Sequence, residues 1–146
     1  MRVYVCGGWL EREDIGAFMR RLEAAGFEIT CDWTKAEVSP TKTSDADLTH
    51  EDQVRFATAD LEGVRNADVV WHIVAGYKGS RGAYVELGYA MALRDFYLCG
   101  TPHIVVSGPD WRKSIFHALA DQCFFTHEEA FVFLCKSIER EKAPSL

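Results

Sequence analysis

The chain has 146 residues, a formal net charge of −6, and hydrophobic residues at 48% of its positions. This length fits one domain with its own core, and the balance of apolar and charged residues is that of an ordinary globular protein. The negative charge argues against a nucleic-acid polymer as the main partner, because a phosphate backbone requires a basic surface. A single nucleotide requires only a local pocket and is compatible with this charge.

The cysteines predict neither a disulfide framework nor a metal site. Their number, five, is odd, no two of them have CxxC spacing, and the five histidines form neither HxxxH nor HExxH. Reduced thiols indicate a cytoplasmic protein. The apolar run at the start of the chain is too short for a signal peptide, and no apolar stretch reaches the ~18 residues of a membrane span.

Apolar periodicity in the first half of the chain predicts two strands and two helices. The predicted elements are a strand over 2–6, a helix over 15–25 that ends at Gly26, a strand over 27–30, a polar loop over 34–48, and a helix capped by Thr49 that continues to about Asn66. A polar loop of this length inside a compact domain is often functional.

The second half continues the alternation of strands and helices. It predicts a buried strand over 68–74, a glycine-rich loop over 75–82, a helix from 83 to about 97, a strand over 103–106, a helix over 111–120 and a short strand over 123–125. Thr126 and Glu129 form a capping box that opens the last helix. Residues 140–146 are expected to form a frayed tail.

This alternation predicts the fold class. We expect a single α/β domain over 1–146, a flavodoxin-like or Rossmann-like sandwich with a roughly five-stranded parallel sheet and helices on both faces. In such sheets ligands bind beyond the carboxyl ends of the strands. The loops after the first, third and fourth strands are therefore where a site is expected.

The segment 79–90, GSRGAYVELGYA, is the most informative for function. Its glycines allow close approach of the backbone to a ligand, and the start of a helix offers free N–H groups and partial positive charge. With the helix starting at Ala83, Glu86 lies in the first turn and is held ionised, which suits a nucleophile. The alternative is that Glu86 only stabilises that turn.

Several segments of the chain together resemble the nucleoside 2-deoxyribosyltransferase superfamily, which includes 2'-deoxynucleoside 5'-phosphate N-hydrolases. The segments that carry this resemblance are Val3-Tyr4-Val5-Cys6-Gly7, Asp60-Leu61, Asn66-Ala67-Asp68-Val69-Val70, and the signature formed by Ser80, Gly82, Glu86-Leu87-Gly88 and Ala90. Their order and spacing follow the family along most of the chain.

The resemblance implies three catalytic residues. Glu86 corresponds to the glutamate that attacks the anomeric carbon, Tyr4 to a tyrosine that positions this carboxylate, and Asp60 to an aspartate that protonates or orients the leaving base. Without the resemblance, Tyr4 is equally a strand aromatic and Asp60 a solvated helix residue. Asp68, at the start of a buried strand, is expected to be structural.

A second set of residues is expected to bind the substrate. The resemblance implies that a serine six residues before Glu86 contacts a 5'-phosphate, as in the phosphate-dependent hydrolases. It also implies that a further serine is lent to that phosphate by a neighbouring subunit. We further expect the sugar to lie above glycines and the base to stack on an aromatic ring such as Trp9 or Trp33. The residues in these roles are Gly7, Gly8, Trp9, Ser80, Arg81, Gly82 and Ser114.

The predicted activity is cleavage of the N-glycosidic bond of a nucleoside 5'-monophosphate through a glycosyl-glutamate, with no metal or organic cofactor. A base-exchanging transferase is the first alternative, because Gly8-Trp9 is more similar to the transferases. A glutamate-dependent NAD glycohydrolase of the Toll/interleukin-receptor type and a non-catalytic nucleotide sensor are the others. The resemblance further implies a homodimer or larger homo-oligomer, with a small nucleoside or nucleotide as ligand and no membrane partner.

Overall fold

The computed structural model describes residues 1–37, 45–74, 81–98 and 100–142. The strands are β1 (Arg2–Cys6), β2 (Glu28–Ile29), β3 (Val69–Ile73), β4 (His103–Ser107) and β5 (Gln122–Phe124). The helices are α1 (Arg12–Ala24), α2 (His50–Asn66), α3 (Arg81–Ala92) and α4 (His127–Lys142). No helix within these ranges is both long enough and apolar enough to cross a membrane.

The five strands form one all-parallel sheet in the order β2-β1-β3-β4-β5. This is a flavodoxin-like α/β fold, as predicted. The strand order reverses between β1 and β3, and ligands of such sheets bind at that switch point. Tyr4 pairs with Val70 there, and Cys6 with His72.

Helices cover both faces of the sheet. The side that we call the α1/α4 face buries Val3, Val5 and Trp71 against those two helices. The side that we call the α2/α3 face buries Tyr4 and Cys6 against the other two. Alternate residues of β1 thus point to opposite faces, as the two-residue period of a strand requires.

Two helical predictions differ from the structure. The third helix begins at Arg81 rather than at 83; its α-helical part ends at Ala92, and a π-helical turn over Leu93–Tyr97 continues it to the predicted end. The predicted helix over 111–120 is two short 3-10 turns, Trp111–Lys113 and Ile115–Leu119, separated by the extended backbone of Ser114.

The capping box of the last helix is confirmed. The Thr126 hydroxyl accepts a hydrogen bond from the Glu129 N–H at 3.1 Å, and the Glu129 carboxylate accepts one from the Thr126 N–H at 3.0 Å. The α4 helix continues through residues 140–142, which the sequence placed in the frayed tail. Residues 143–146 lie outside the described part of the chain.

The predicted loops are described only in part. Residues 45–47, within the loop predicted over 34–48, form a 3-10 turn, and residues 38–44 are outside the described ranges. Asp68 has the structural role expected of it: its carboxylate accepts hydrogen bonds from the Arg2 N–H at 2.7 Å and from the Arg2 guanidinium at 2.8 Å.

Candidate active site

Tyr4 lies in the middle of β1, at the switch point, and its side chain is fully buried on the α2/α3 face. Burial, and then the nearby charges of Glu86 and Asp60, raise the pKa of its hydroxyl far above the ordinary value. The hydroxyl has no hydrogen-bond partner within ordinary distance and angle limits among the described residues. Tyr4 is therefore a neutral phenol whose donor is not committed to the fold.

Asp60 reaches the same place from α2. Its carboxylate accepts a hydrogen bond from the Cys31 thiol, with 3.7 Å between Sγ and Oδ1. Burial raises the pKa of Asp60, and the Cys31 thiol and the Tyr4 hydroxyl lower it in part. The Asp60 carboxyl group is half-buried. It is therefore not the solvated helix residue that the sequence allows when the family resemblance is left aside.

Gly63 allows α2 to approach β1 closely. A Cβ at this position would lie 2.7 Å from Cδ2 of Tyr4 and 2.7 Å from Cβ of Cys31. Gly63 follows Asp60 by one helical turn, so the two residues lie on the same side of α2. The close contact at Gly63 therefore holds the Asp60 carboxyl group against the end of the sheet.

Glu86 comes from the second turn of α3, since that helix begins at Arg81. The prediction that it lies in the first turn and is held ionised there is wrong. Burial, and then the charge of Asp60, raise the pKa of Glu86 to about 8, and the Tyr4 hydroxyl lowers it in part. Near neutral pH the free protein holds a proton at this group.

Glu86 and Asp60 form a coupled pair of carboxyl groups. Each is partly buried, and the negative charge on Asp60 disfavours ionisation of Glu86. Between their two apparent pKa values such a pair carries one proton, because the second negative charge must form near the first. Neither side chain forms a salt bridge with a basic residue in the described part of the chain.

The turn after β1 brings glycines and a tryptophan to the same end of the sheet. A Cβ on Gly7 would collide with Cδ1 of Ile15. Gly8 is buried and immediately precedes a 3-10 turn that starts at Trp9. The Trp9 ring lies 6.4 Å from the Trp33 ring, centroid to centroid. These rings are candidates for stacking on a nucleobase.

A hydrogen bond fixes Trp33. Its indole N–H donates to the Val5 carbonyl at 2.7 Å. This carbonyl is available because the paired residues of β1 and β2 end at Val3 and Ile29. The indole thereby replaces a missing strand partner, and its ring is held beside the carboxyl end of β1.

The structure describes only some of the predicted phosphate-binding residues. Arg81 and Gly82 are exposed in the first turn of α3, where N–H groups and the helix dipole favour an anion. Ser80 lies outside the described residues. Ser114 is half-exposed between the two 3-10 turns after β4, and its role in a neighbouring subunit's site stays a prediction.

A cluster of rings near the start of α3, in which two buried imidazoles pack against the exposed Tyr84, was missed by the sequence analysis. The His72 ring lies 5.1 Å from both the Tyr84 and the His117 rings, centroid to centroid. Burial, and then His117, lower the pKa of His72 to about 3, so its imidazole is neutral. The signal available was a histidine inside the otherwise apolar run of β3. In the described part of the chain, no three His, Cys, Asp or Glu side chains gather as a metal site would need.

A comparison with known protein families identifies one family for most of the chain. The sequence model of the family described as nucleoside 2-deoxyribosyltransferase matches residues 3–122 of the 146. This range contains Tyr4, Asp60 and Glu86, the whole of β2, β3 and β4, all of β1 but its first residue, and only the first residue of β5. No curated protein matches the chain significantly.

Proposed function

Because the chain belongs to the nucleoside 2-deoxyribosyltransferase family, we propose that it cleaves the N-glycosidic bond of a (deoxy)nucleoside 5'-monophosphate and releases the free base. The reaction would pass through a covalent glycosyl ester of Glu86. One observation carries the proposal: Glu86, Asp60 and Tyr4, from three separate elements, converge on one half-buried place at the switch point of the sheet.

In the first step the Glu86 carboxylate attacks C1' of the sugar. The electron pair of the C1'–N bond goes to the base, which takes a proton from the Asp60 carboxyl group. The products of this step are the free base, a glycosyl ester on Glu86 and an ionised Asp60. Proton donation to a leaving group is typically worth ~100-fold or more in rate.

In the second step water attacks C1' of the ester. Asp60 takes the proton that the water loses, and the Glu86 carboxylate is released. Two displacements at one carbon give net retention at C1', as in retaining glycosidases. The pair begins and ends the cycle with one shared proton, so this scheme requires neither a metal nor an organic cofactor.

The coupled pair supports this division of roles. The reactive form has Glu86 ionised and the proton on Asp60, and a pair that shares one proton contains this form without taking up a proton from solvent. The Tyr4 hydroxyl lowers the pKa of both groups. Its uncommitted donor would stabilise whichever carboxylate is ionised at each step.

The monophosphate as substrate is supported by the start of α3. Arg81 is exposed there beside the N–H groups of the first helical turn. A guanidinium and free N–H groups suit a dianionic phosphate. A base-exchanging deoxyribosyltransferase is the second candidate, favoured by Gly8-Trp9 after β1, and it differs only in the acceptor that opens the glycosyl ester.

We also propose a homo-oligomer in which one chain lends Ser114 to its neighbour's phosphate. The two residues that follow Ser114 are strongly exposed apolar side chains, Ile115 at 82% and Phe116 at 56%. Exposed apolar side chains of this size, close together, are typical of protein contact surfaces. Light scattering of the wild type and of Ile115→Asp tests this: dissociation of an oligomer by the variant is expected, and a wild-type monomer would contradict it.

The central test is a chromatographic screen for free base. The wild-type protein is incubated separately with nucleosides, nucleoside 5'-monophosphates and NAD, each with and without a second free base. Base released from monophosphates alone supports the proposal, whereas a new nucleoside formed with the second base identifies the transferase. Release of nicotinamide would identify an NAD glycohydrolase.

A thermal-shift measurement with the same compounds completes the screen. Ligand-induced stabilisation without any product would indicate a nucleotide sensor and would contradict the enzymatic proposal. Mass spectrometry of the protein quenched during turnover is expected to show a glycosyl adduct on the peptide that contains Glu86. The same adduct should be absent from Glu86→Gln.

A further inference from the structure

The thiol of Cys31 is placed between the two elements that define the carboxyl pair. Cys31 follows β2, and its Cβ packs in the space left by Gly63 of α2. Its Sγ lies 3.7 Å from Oδ1 of Asp60, within the range of a hydrogen bond to sulfur. The one side chain thus touches α2 at two points that are one helical turn apart.

We infer that Cys31 is a positioning residue, whose S–H group donates to the Asp60 carboxylate and holds it beside the Tyr4 hydroxyl and Glu86. This inference rests on the proposed function for its catalytic meaning. The hydrogen bond from Cys31 to Asp60 itself does not depend on any substrate.

The thiol is suited to donate rather than to react. Burial, and then the charge of Asp60, raise the pKa of Cys31 to about 12, so its proton is retained over the whole working range. Because the thiol keeps its proton, it is the donor in the hydrogen bond and the Asp60 carboxylate is the acceptor. The Tyr4 hydroxyl has no hydrogen-bond partner within ordinary limits among the described residues, yet it lies close enough to lower the pKa of Asp60, so it can serve as a second donor at the same place.

Among the described residues, the titratable groups around Asp60 each act in a stated direction. Tyr4 and Cys31 lower its pKa, whereas burial raises it. Glu86 faces it from α3 and Cys6 from β1, and both of these groups have raised pKa values in the presence of the Asp60 charge. Loss of the thiol donor destabilises the state in which both carboxyl groups are ionised, so the last proton of the pair should be held more tightly.

The test is a carbon-detected NMR titration of the carboxyl groups of the full chain, without substrate. In Cys31→Ala the higher apparent pKa of the Glu86–Asp60 pair is expected to rise by about half a unit or more, as loss of a donor to a carboxylate implies. Cys31→Ser keeps a donor and is expected to restore the wild-type value. Cys135→Ala, which removes a half-buried thiol from α4 on the opposite face, is the matched control.

Kinetics give a second readout. If base release is found, the basic limb of its pH profile should shift with the titration in Cys31→Ala and return in Cys31→Ser, with kcat changing more than KM. Unchanged titration in Cys31→Ala, or a Cys31→Ser curve that matches Cys31→Ala, would overturn the inference. If the titration shifts in Cys31→Ala but the protein releases no base, the inferred hydrogen bond is supported. The proposed function is then overturned instead.

Discussion

The two faces of the sheet differ in whether their buried polar groups have hydrogen-bond partners. On the α1/α4 face the Trp71 indole donates to the Ser107 hydroxyl at 2.8 Å, and Ser107 pairs with Nδ1 of His127 at 2.8 Å. These polar atoms are satisfied within an otherwise apolar core. A completed chain of this kind makes the packing specific without leaving any group to interact with a ligand.

The α2/α3 face carries the groups that lack partners. Tyr4 Oη, His72 Nδ1, Trp111 Nε1 and His117 Nε2 are buried with no hydrogen-bond partner among the described residues. A buried polar group without a partner costs on the order of 1–3 kcal/mol. The difference between the faces indicates that one is optimised for stability, while the other gives up stability to keep donors and carboxyl groups available.

Replacement of the proposed nucleophile should have the largest effect. Glu86→Gln keeps the shape of the side chain but cannot form the glycosyl ester, so base release should fall by roughly 10³-fold or more. The unfolding free energy should not fall, because the variant removes a buried ionisable group. The assay is base release from the best monophosphate of the screen. Glu62→Gln, on the exposed side of α2, serves as the control and should retain activity.

A methyl group between α2 and β1 should damage both the fold and the site. In Gly63→Ala the new Cβ would meet the Tyr4 ring and Cys31 at 2.7 Å, and such overpacking costs about 1–3 kcal/mol. Urea unfolding measures this loss, and base release should fall with it because Asp60 is displaced. In Gly88→Ala, where no described heavy atom lies within 4 Å, helix propensity alone should add about 0.5–1 kcal/mol. Equal effects at the two glycines would contradict the close packing.

On the α1/α4 face, Ser107→Ala should cost stability alone. The variant leaves the fully buried Trp71 indole N–H without its acceptor, which destabilises by about 1–2 kcal/mol. Base release per folded molecule should be unchanged, because Ser107 points away from the carboxyl pair. A loss of activity that exceeds the loss of folded protein would show that the two faces are not independent.

On the α2/α3 face, Tyr4→Phe should have the converse result. It removes a hydroxyl that has no described partner, so the unfolding free energy should stay equal or rise slightly. Base release should fall by about 10-fold, because the hydroxyl would no longer donate to the carboxylate that is ionised during the reaction. The pKa of Glu86 should also rise, because the hydroxyl lowers it. A destabilised but fully active variant would reverse the assignment.

The pH dependence of stability should show the smallest difference. The pKa of Glu86 is about 8 in the folded state and about 4.3 in an unfolded chain, so its stabilising contribution is present below the lower value and lost as the pH rises through the higher one. His72, with a pKa of about 3, acts with the opposite sign, since its contribution is lost as the pH falls below about 6.5.

A measurement between pH 7 and 8.5 therefore isolates Glu86 from the histidine. The unfolding free energy of the wild type should fall across this window by up to about 1 kcal/mol more than that of Glu86→Gln, because only the wild type releases this proton. Parallel curves would indicate that the pKa of Glu86 is not raised.

Much of the fold was predictable because its signals are local. The two-residue period of β1, the buried apolar run of β3 and the capping box at Thr126 and Glu129 each depend on neighbours in sequence. The start of α3 was missed because Gly82 and Arg81 read as loop residues. The two 3-10 turns after β4 were missed because their apolar residues are spaced as in a helix, although Ile115 is exposed.

By itself the sequence determined the order of the elements and the parallel sheet, which follow from periodicity, and its resemblance to a known family implied the three candidate catalytic residues. Only the tertiary structure decided the protonation of Glu86 and the surroundings of Asp60. A pKa depends on burial and on charges brought together from distant elements, and the Cys31 thiol, the Tyr4 hydroxyl and the two carboxyl groups meet only when α2 and α3 pack on the same face of the sheet.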